Sequence, residues 1–241
     1  MTPPSFDVRV VRTRELSPSV RELVFAREDG AVFAFEPGQW VSLVLPVASG
    51  EVRRAYSIAS SPSSDSSFAV AVTRVENGAG SNLLHELLPG SIVRAVGPQG
   101  FFTRDEASAQ PALFIGTGTG IAPLRSMVGG AVGRSSAPLW LLFGGREEHD
   151  LLYREELAGL AARHPSFRVE ETLSRGSPSW AGRRGYVQAH ARSLYEALAA
   201  TTSTPPHVYV CGLERMVGAI RALFRQEMGL PRQLVHSERY D

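Results

Sequence analysis

Between Phe6 and about Arg104, apolar residues alternate with polar ones in short runs rich in β-branched side chains, and turn residues separate the runs. The alternation predicts strands at Phe6–Thr13, Val20–Arg27, Trp40–Leu45, Arg54–Ile58, Phe68–Arg74 and Ile92–Val96, with one short helix at Ser81–Leu88. Strands at this spacing predict a six-stranded antiparallel barrel. Beyond Gln110 the period changes. Apolar runs at Ala112–Ile115, Leu139–Phe143, Phe167–Thr172, Val208–Cys211 and Gln233–His236 alternate with helical stretches near Pro123–Gly130, Arg154–Arg163, Gln188–Ala199 and Glu214–Met228. That order predicts a five-stranded parallel sheet with right-handed crossovers. The small, polar segment Asp105–Gln110 reads as the linker. A barrel over residues 1–104 followed by an α/β domain over residues 105–241 is the expected organisation.

Composition narrows what such a pair of domains does. The formal charge is +1, from 25 Lys and Arg against 24 Asp and Glu, so no global field attracts nucleic acid or an anionic membrane. Cys211 is the only cysteine, which excludes an internal disulfide and falls short of the four thiolates an ordinary iron–sulfur cluster uses. Electrons leaving singly would need a separate carrier. No apolar run approaches the roughly 18 residues of a membrane span, and the first residues lack the pattern of a secretory signal. A cytoplasmic protein without membrane insertion is the expectation, and no metal site is predicted.

Two segments of the barrel carry candidate chemistry. In Arg54-Ala55-Tyr56-Ser57 a cation, an aromatic ring and a hydroxyl stand on neighbouring residues of one extended run. Such a set suits a flavin, with Arg54 for phosphate charge, the Tyr56 ring for the isoalloxazine and Ser57 for its reactive edge. A plain barrel strand with an exposed Arg and a buried Tyr explains the same letters. Downstream, Asn77-Gly78-Ala79-Gly80-Ser81-Asn82 opens the short helix. Its glycines permit close approach of backbone to ligand, Ser81 is a candidate N-cap, and the helix start is an anion site. An ordinary capped loop is again the alternative.

In the second half, Gly116-Thr117-Gly118-Thr119-Gly120-Ile121-Ala122-Pro123 lies between a strand and a helix, where backbone N–H groups and the helix dipole converge on a pyrophosphate. The third glycine comes one residue too early for the GxGxxG fingerprint. Ser174-Arg175 with Arg184 and Tyr186 follow the third strand of this half and form a candidate site for an adenosine 2′-phosphate. Cys211-Gly212-Leu213 closes another strand, and Glu238-Arg239-Tyr240-Asp241 ends the chain, where fraying is the general rule.

Taken in order, these residues resemble the ferredoxin-NADP reductase family, from about Phe35 to the C-terminus. Arg54-Ala55-Tyr56-Ser57 is similar to its flavin motif, Gly80-Ser81-Asn82 to its flavin pyrophosphate loop, and Gly116–Pro123 with Leu124-Arg125-Ser126 to its NADP loop. Leu151–Leu157 resembles its Leu-Tyr-x-Glu-Glu helix start, Cys211-Gly212-Leu213 the Cys-Gly-Leu of plant-type members, and Glu238-x-Tyr240 the terminal Glu-x-aromatic pair. The resemblance implies FAD, with FMN as the alternative, held by Arg54, Tyr56, Ser57, Val72, Thr73, Gly80, Ser81, Asn82, Thr119 and Tyr240. It implies NADPH, with NADH as the alternative, bound by Gly116, Thr117, Gly118, Gly120, Pro123, Ser174, Arg175, Arg184, Tyr186, Cys211, Gly212 and Leu213. Ser57, Cys211, Glu238 and Tyr240 would be catalytic, with the Tyr240 ring covering the flavin until nicotinamide displaces it. The implied partner is a ferredoxin or flavodoxin. Two departures stand out: Thr73 replaces the Lys of plant-type members, and Trp180, Gly182 and Gly185-Tyr186-Val187 are also similar to NAD-linked electron-transfer reductases. Two other readings therefore stand beside the first: an NADH-dependent reductase component of a multicomponent oxygenase, and a flavin-bearing relay subunit without turnover.

Overall fold

The structure, a computed structural model, describes residues 3–48 and 50–240. It divides into two compact units. One comprises the chain up to Asp105 with Arg125–Gly130, and the other Glu106–Leu124 with the chain from Ala131 onward.

The first unit is a six-stranded antiparallel sheet of β1 (Ser5–Ser17), β2 (Val20–Arg27), β3 (Trp40–Val47), β4 (Gly50–Ser57), β5 (Ser67–Thr73) and β6 (Ile92–Gln99), with α1 (Ala79–Glu86) between the last two. Strand order is β4-β3-β6-β1-β2-β5, and an antiparallel bridge from Ile58 to Val70 joins the two ends. Alternation accounts for these strands: Val8 and Val10 on β1, Leu43 and Leu45 on β3, and Phe68, Val70 and Val72 on β5 all point inward and are buried. The interior also draws on a loop that no periodicity marks. Phe33, between β2 and β3, is 2% exposed, and its ring centroid lies 4.5 Å from Phe68, 5.5 Å from Phe6 and 5.6 Å from Phe35. The helix starts at Ala79, two residues earlier than the pattern predicts, with Gly78 as its N-cap.

The second unit is a parallel sheet of β7 (Ala112–Thr117), β8 (Leu139–Gly145), β9 (Phe167–Leu173), β10 (Arg183–Arg184), β11 (His207–Leu213) and β12 (Val235–Tyr240). Their order is β10-β9-β8-β7-β11-β12. It holds six strands where the pattern predicts five, because β10 is two residues long and exists only through its pairing with Thr172 and Leu173. The helices are α2 (Ile121–Ala131), α3 (Arg154–Arg163), α4 (Gln188–Ala199) and α5 (Glu214–Ala222). Ala191, Leu194 and Leu198 line one face of α4, Val217 and Ile220 one face of α5, and both faces cover Leu113, Ile115, Val208 and Val210 of the sheet. The helix predicted to run to Met228 changes to a π turn at Leu223–Glu227. The last strand runs past the predicted His236 to Tyr240, paired with β11 throughout, so among the described residues the tail is strand rather than frayed end; Asp241 lies outside them. No helix of the described residues is long and apolar enough to cross a membrane.

Truncating Phe33 removes an aromatic from the middle of the first unit's core. Phe33→Ala is expected to cost about 3–5 kcal/mol, read as a lower urea midpoint for loss of that unit's structure. An unchanged midpoint would show that the loop does not belong to the core.

Candidate functional site

In the first unit, β4 is paired with β3 along its whole length, from Val47↔Gly50 to Trp40↔Ser57, but reaches β5 only through the Ile58–Val70 bridge. Helix α1 packs on this seam, against β3, β4 and β5. Val52, Arg54 and Tyr56 share a strand face, and Val52 and Tyr56 pack on the barrel core. A Cβ at Gly80 would lie 3.3 Å from both Arg54 Cγ and Leu45 Cδ1. The lack of a side chain there lets the start of α1 settle on the stem of Arg54, and two distant motifs become one place.

That place has the electrostatics of an anion site. The N-cap Gly78 offers no side chain and the first turn of α1 carries no acidic residue, so its free N–H groups and positive dipole end are uncompensated. The Arg54 guanidinium donates to the Arg53 carbonyl at 3.0 Å and forms no ion pair among the described residues. Burial pushes the Tyr56 hydroxyl up to about 12 against the opposing Arg54 charge, which keeps it neutral. A guanidinium without an ion pair among the described residues, beside a bare helix start, is a donor set that suits a pyrophosphate.

Other predicted residues serve the frame. Ser81 is not the N-cap: it sits in the first turn, where its hydroxyl donates to the Gly78 carbonyl at 3.0 Å and accepts from the Val75 N–H at 3.1 Å. Asn82 accepts a hydrogen bond from Arg74 at 3.3 Å. The Val72 side chain is buried in the core and its carbonyl lies 2.9 Å from the His85 ring, while Thr73 is exposed at the strand end. Ser57 is buried at the carboxyl end of β4, opposite Trp40.

In the second unit the glycine-rich segment leaves β7 and makes a 3-10 turn at Gly118–Gly120 that runs straight into α2, Pro123 lying in its first turn. Thr117 is the N-cap but its hydroxyl makes no capping bond, and no acidic residue follows. Thr117 Oγ1 is instead buried without a hydrogen-bond partner among the described residues, a group that a bound nucleotide can satisfy. Gly118 has φ +54° with open space around it, and Thr119 follows half-buried. Gly120 is different. A Cβ there would sit 2.3 Å from the Cys211 carbonyl oxygen.

That contact leads to a second cluster. Parallel register sets Cys211 beside Glu238 and Leu213 beside Tyr240, so the thiol, the carboxylate and the phenol share one face at the carboxyl ends of β11 and β12. Gly212 between them has φ +148°, and Leu213 is exposed. Burial and the Glu238 charge push the Cys211 thiol far up, only partly offset by a hydrogen bond from Tyr240, so it stays protonated at neutral pH. An ion pair at 2.6 Å between Arg239 and Glu214 ties the end of β12 to α5.

The adenosine-site candidates separate into two kinds. Ser174 and Arg175 follow β9 with their N–H groups bonded to the Gly145 and Arg146 carbonyls, and the Arg175 side chain is exposed with no ion pair among the described residues. Tyr186 is exposed as well. Arg184, by contrast, spends its guanidinium on the loop before it, donating to the carbonyls of Gly176 at 3.1 Å, Ser177 at 2.8 Å and Trp180 at 3.0 Å. It organises the loop. Arg125, which the sequence marks only as part of the stretch resembling the NADP loop, donates from its Nη1 at 2.5 Å to the Ala59 carbonyl, just past the Arg-x-Tyr-Ser run. No local pattern marks such a bond, since its partners are 66 positions apart.

Residues 7–103 match the oxidoreductase FAD-binding domain model and residues 114–222 the oxidoreductase NAD-binding domain model. The chain is 58% identical to ferredoxin–NADP reductase B of Sorangium cellulosum (strain So ce56), over 98% of each protein. It is 31% identical to the glycine betaine monooxygenase reductase subunit of Chromohalobacter salexigens, over 97% of this chain and 64% of that one. An Amycolatopsis cytochrome P450 reductase superposes with a TM-score of 0.82 at 29% identity, over 99% of this chain and 71% of that structure. A Neisseria gonorrhoeae ferredoxin NADP+ reductase with bound FAD and NADP shares the fold, with a TM-score of 0.78 at 19% identity over 98% of both.

The two glycines of the second unit's loop make different demands. Gly120→Ala drives a methyl group into the Cys211 backbone and is expected to weaken pyridine-nucleotide binding at least about tenfold, whereas Gly118→Ala meets no atom and carries only the positive-φ strain of about 1 kcal/mol. Fluorescence titration with NADP+ checks this, and equal losses in the two variants would contradict it.

Proposed function

This chain belongs to the ferredoxin-NADP reductase family, and we propose that it transfers hydride between NADP(H) and FAD and passes single electrons to or from a ferredoxin. The observation that carries this reading is a pair of bare, acid-free helix starts, one in each unit, each at a glycine that lets backbone approach closely. FAD and NADP(H) each carry a pyrophosphate, and a reaction between two dinucleotides requires two such sites.

Bound FAD supplies the exchange of an electron pair for single electrons. The chain supplies binding and protons. Arg54 and the N-terminus of α1 hold the flavin pyrophosphate, Tyr56 offers its ring to the flavin, and Ser57 offers it a hydroxyl. The loop from Gly116 to Gly120 and the start of α2 hold the nucleotide pyrophosphate, with Thr117 Oγ1 as an added partner. Cys211, kept as a neutral thiol, offers a soft, uncharged surface to the nicotinamide, and Glu238 holds negative charge next to it. Tyr240 yields its place when the nicotinamide enters. A flavodoxin as alternative acceptor and a cytoplasmic location belong to the same proposal.

A second reading, an NADH-dependent reductase component serving an oxygenase, draws support from the Chromohalobacter relative, of which the chain covers 64%. Anaerobic titration of the purified flavoprotein separates the two. The primary reading expects NADPH to bleach the oxidised flavin band faster than NADH, and ferredoxin to restore it. Faster bleaching by NADH transfers the case to the second reading, and no bleaching by either defeats both.

Coenzyme choice rests on Arg175. A charge-assisted bond to a 2′-phosphate contributes about 1.5–3 kcal/mol, roughly one to two decades in affinity. Arg175→Ala is expected to raise the KM for NADPH at least about tenfold and leave NADH within about twofold. Arg184→Ala should instead raise both, because it releases the loop carbonyls that shape the site. Equal effects of Arg175→Ala on the two coenzymes would remove the 2′-phosphate role.

A further inference from the structure

The end of α5 and the segment that joins it to β12 border an open surface pocket of about 340 Å³ that the nucleotide chemistry leaves unused. Its walls carry Arg221, Arg225, Arg232, Gln233, His236 and Ser237. Three arginines therefore line one opening, and none of them forms an ion pair among the described residues. The two carboxylates on the same helical segment are already engaged, Glu214 with Arg239 at 2.6 Å and Glu227 with Arg192 at 2.9 Å. An unneutralised cluster of this kind is a standing electrostatic cost that a bound multianion reverses.

The remaining walls are polar or buried. Gln233 and Ser237 add neutral donors, and Val235 lies between them as the buried floor. The His236 ring is held in place by a 3.0 Å contact between its Nε2 and His207 Nδ1 and by stacking on Tyr209 at 4.5 Å. No exposed aromatic lines the cavity to stack on a base. The site also lies toward the amino end of β12, whereas Glu238 and Tyr240 occupy its carboxyl end. We infer that this pocket is a binding site for a compact phosphate multianion, recognised through its phosphate oxygens, such as pyrophosphate or the phosphate chain of a nucleotide.

The test is calorimetric titration of the FAD-loaded protein with pyrophosphate, carried out with NADP+ saturating its own site. The expected result is one site per chain, weakened at least about tenfold in the Arg225→Gln/Arg232→Gln variant, whose flavin content and NADPH-driven flavin reduction stay at the parent level. Both residues are exposed and form no ion pair among the described residues, so the variant breaks no ion pair of the fold. A parallel titration with ATP distinguishes the sources: equal affinity means that a phosphate chain is accepted free or on a nucleotide, and no binding restricts the site to the free anion. Absence of pyrophosphate binding, or equal affinity in parent and variant, overturns the inference. A hexa-aspartate peptide that binds more tightly than pyrophosphate also overturns it, and makes the pocket a docking point for an acidic protein.

Discussion

The backbone of Cys211 passes so close to Gly120 that no side chain fits between them, and much of the second unit is organised by that approach. A loop that must rest on a neighbouring strand's carbonyl is fixed in height and direction. The amide groups at the start of α2 are therefore aimed by β11 rather than by the loop's own conformational preferences. The same strand sets the register of β12, and so decides which residues of the tail stand beside the thiol. One backbone contact thus links the glycine-rich loop to the cluster of Cys211, Glu238 and Tyr240. Thr117 Oγ1 lies 2.6 Å from where a Cβ on Gly212 would be and has no hydrogen-bond partner among the described residues.

The first unit uses a related device for a different end. Its sheet joins end to end by a single bridge at Ile58, which leaves most of β4 without a ladder partner toward β5. A free strand edge is ordinarily a liability. Here α1 packs over the seam, and Gly80 lets it approach until the helix start rests on Arg54. Covering the seam and bringing the bare helix start beside Arg54 are the same event, so the residues proposed to hold the cofactor are also residues that finish the barrel.

Arginines illustrate how far a residue type can mislead. Arg54, Arg175 and Arg184 all look like phosphate ligands in a list of letters. A guanidinium has five donors in a fixed fork, and what it binds depends on which acceptors lie within reach. Arg184 finds a ring of loop carbonyls and becomes part of the scaffold, while Arg54 and Arg175 keep their charge available. Arg221, Arg225 and Arg232, which no motif singles out, are brought together only by the turn between α5 and β12.

What the sequence determined by itself is local. Alternation marked the barrel strands within a few residues, the helical period placed Gln188–Ala199 at its observed ends, and the glycines near 116–120 announced a loop that α2 follows. These features are legible because side-chain period and backbone sterics act over a few neighbours. The two-residue β10, the extension of β12 to Tyr240, the burial of Phe33 and the meeting of Arg54 with Gly80 were not legible that way. Each depends on a partner far along the chain, and a hydrogen bond or van der Waals contact is chosen by distance in space, which local pattern does not encode. The sequence therefore determined which segments could carry an anion, a thiol or a carboxylate, and the tertiary structure decided which of those groups remain free to meet a ligand.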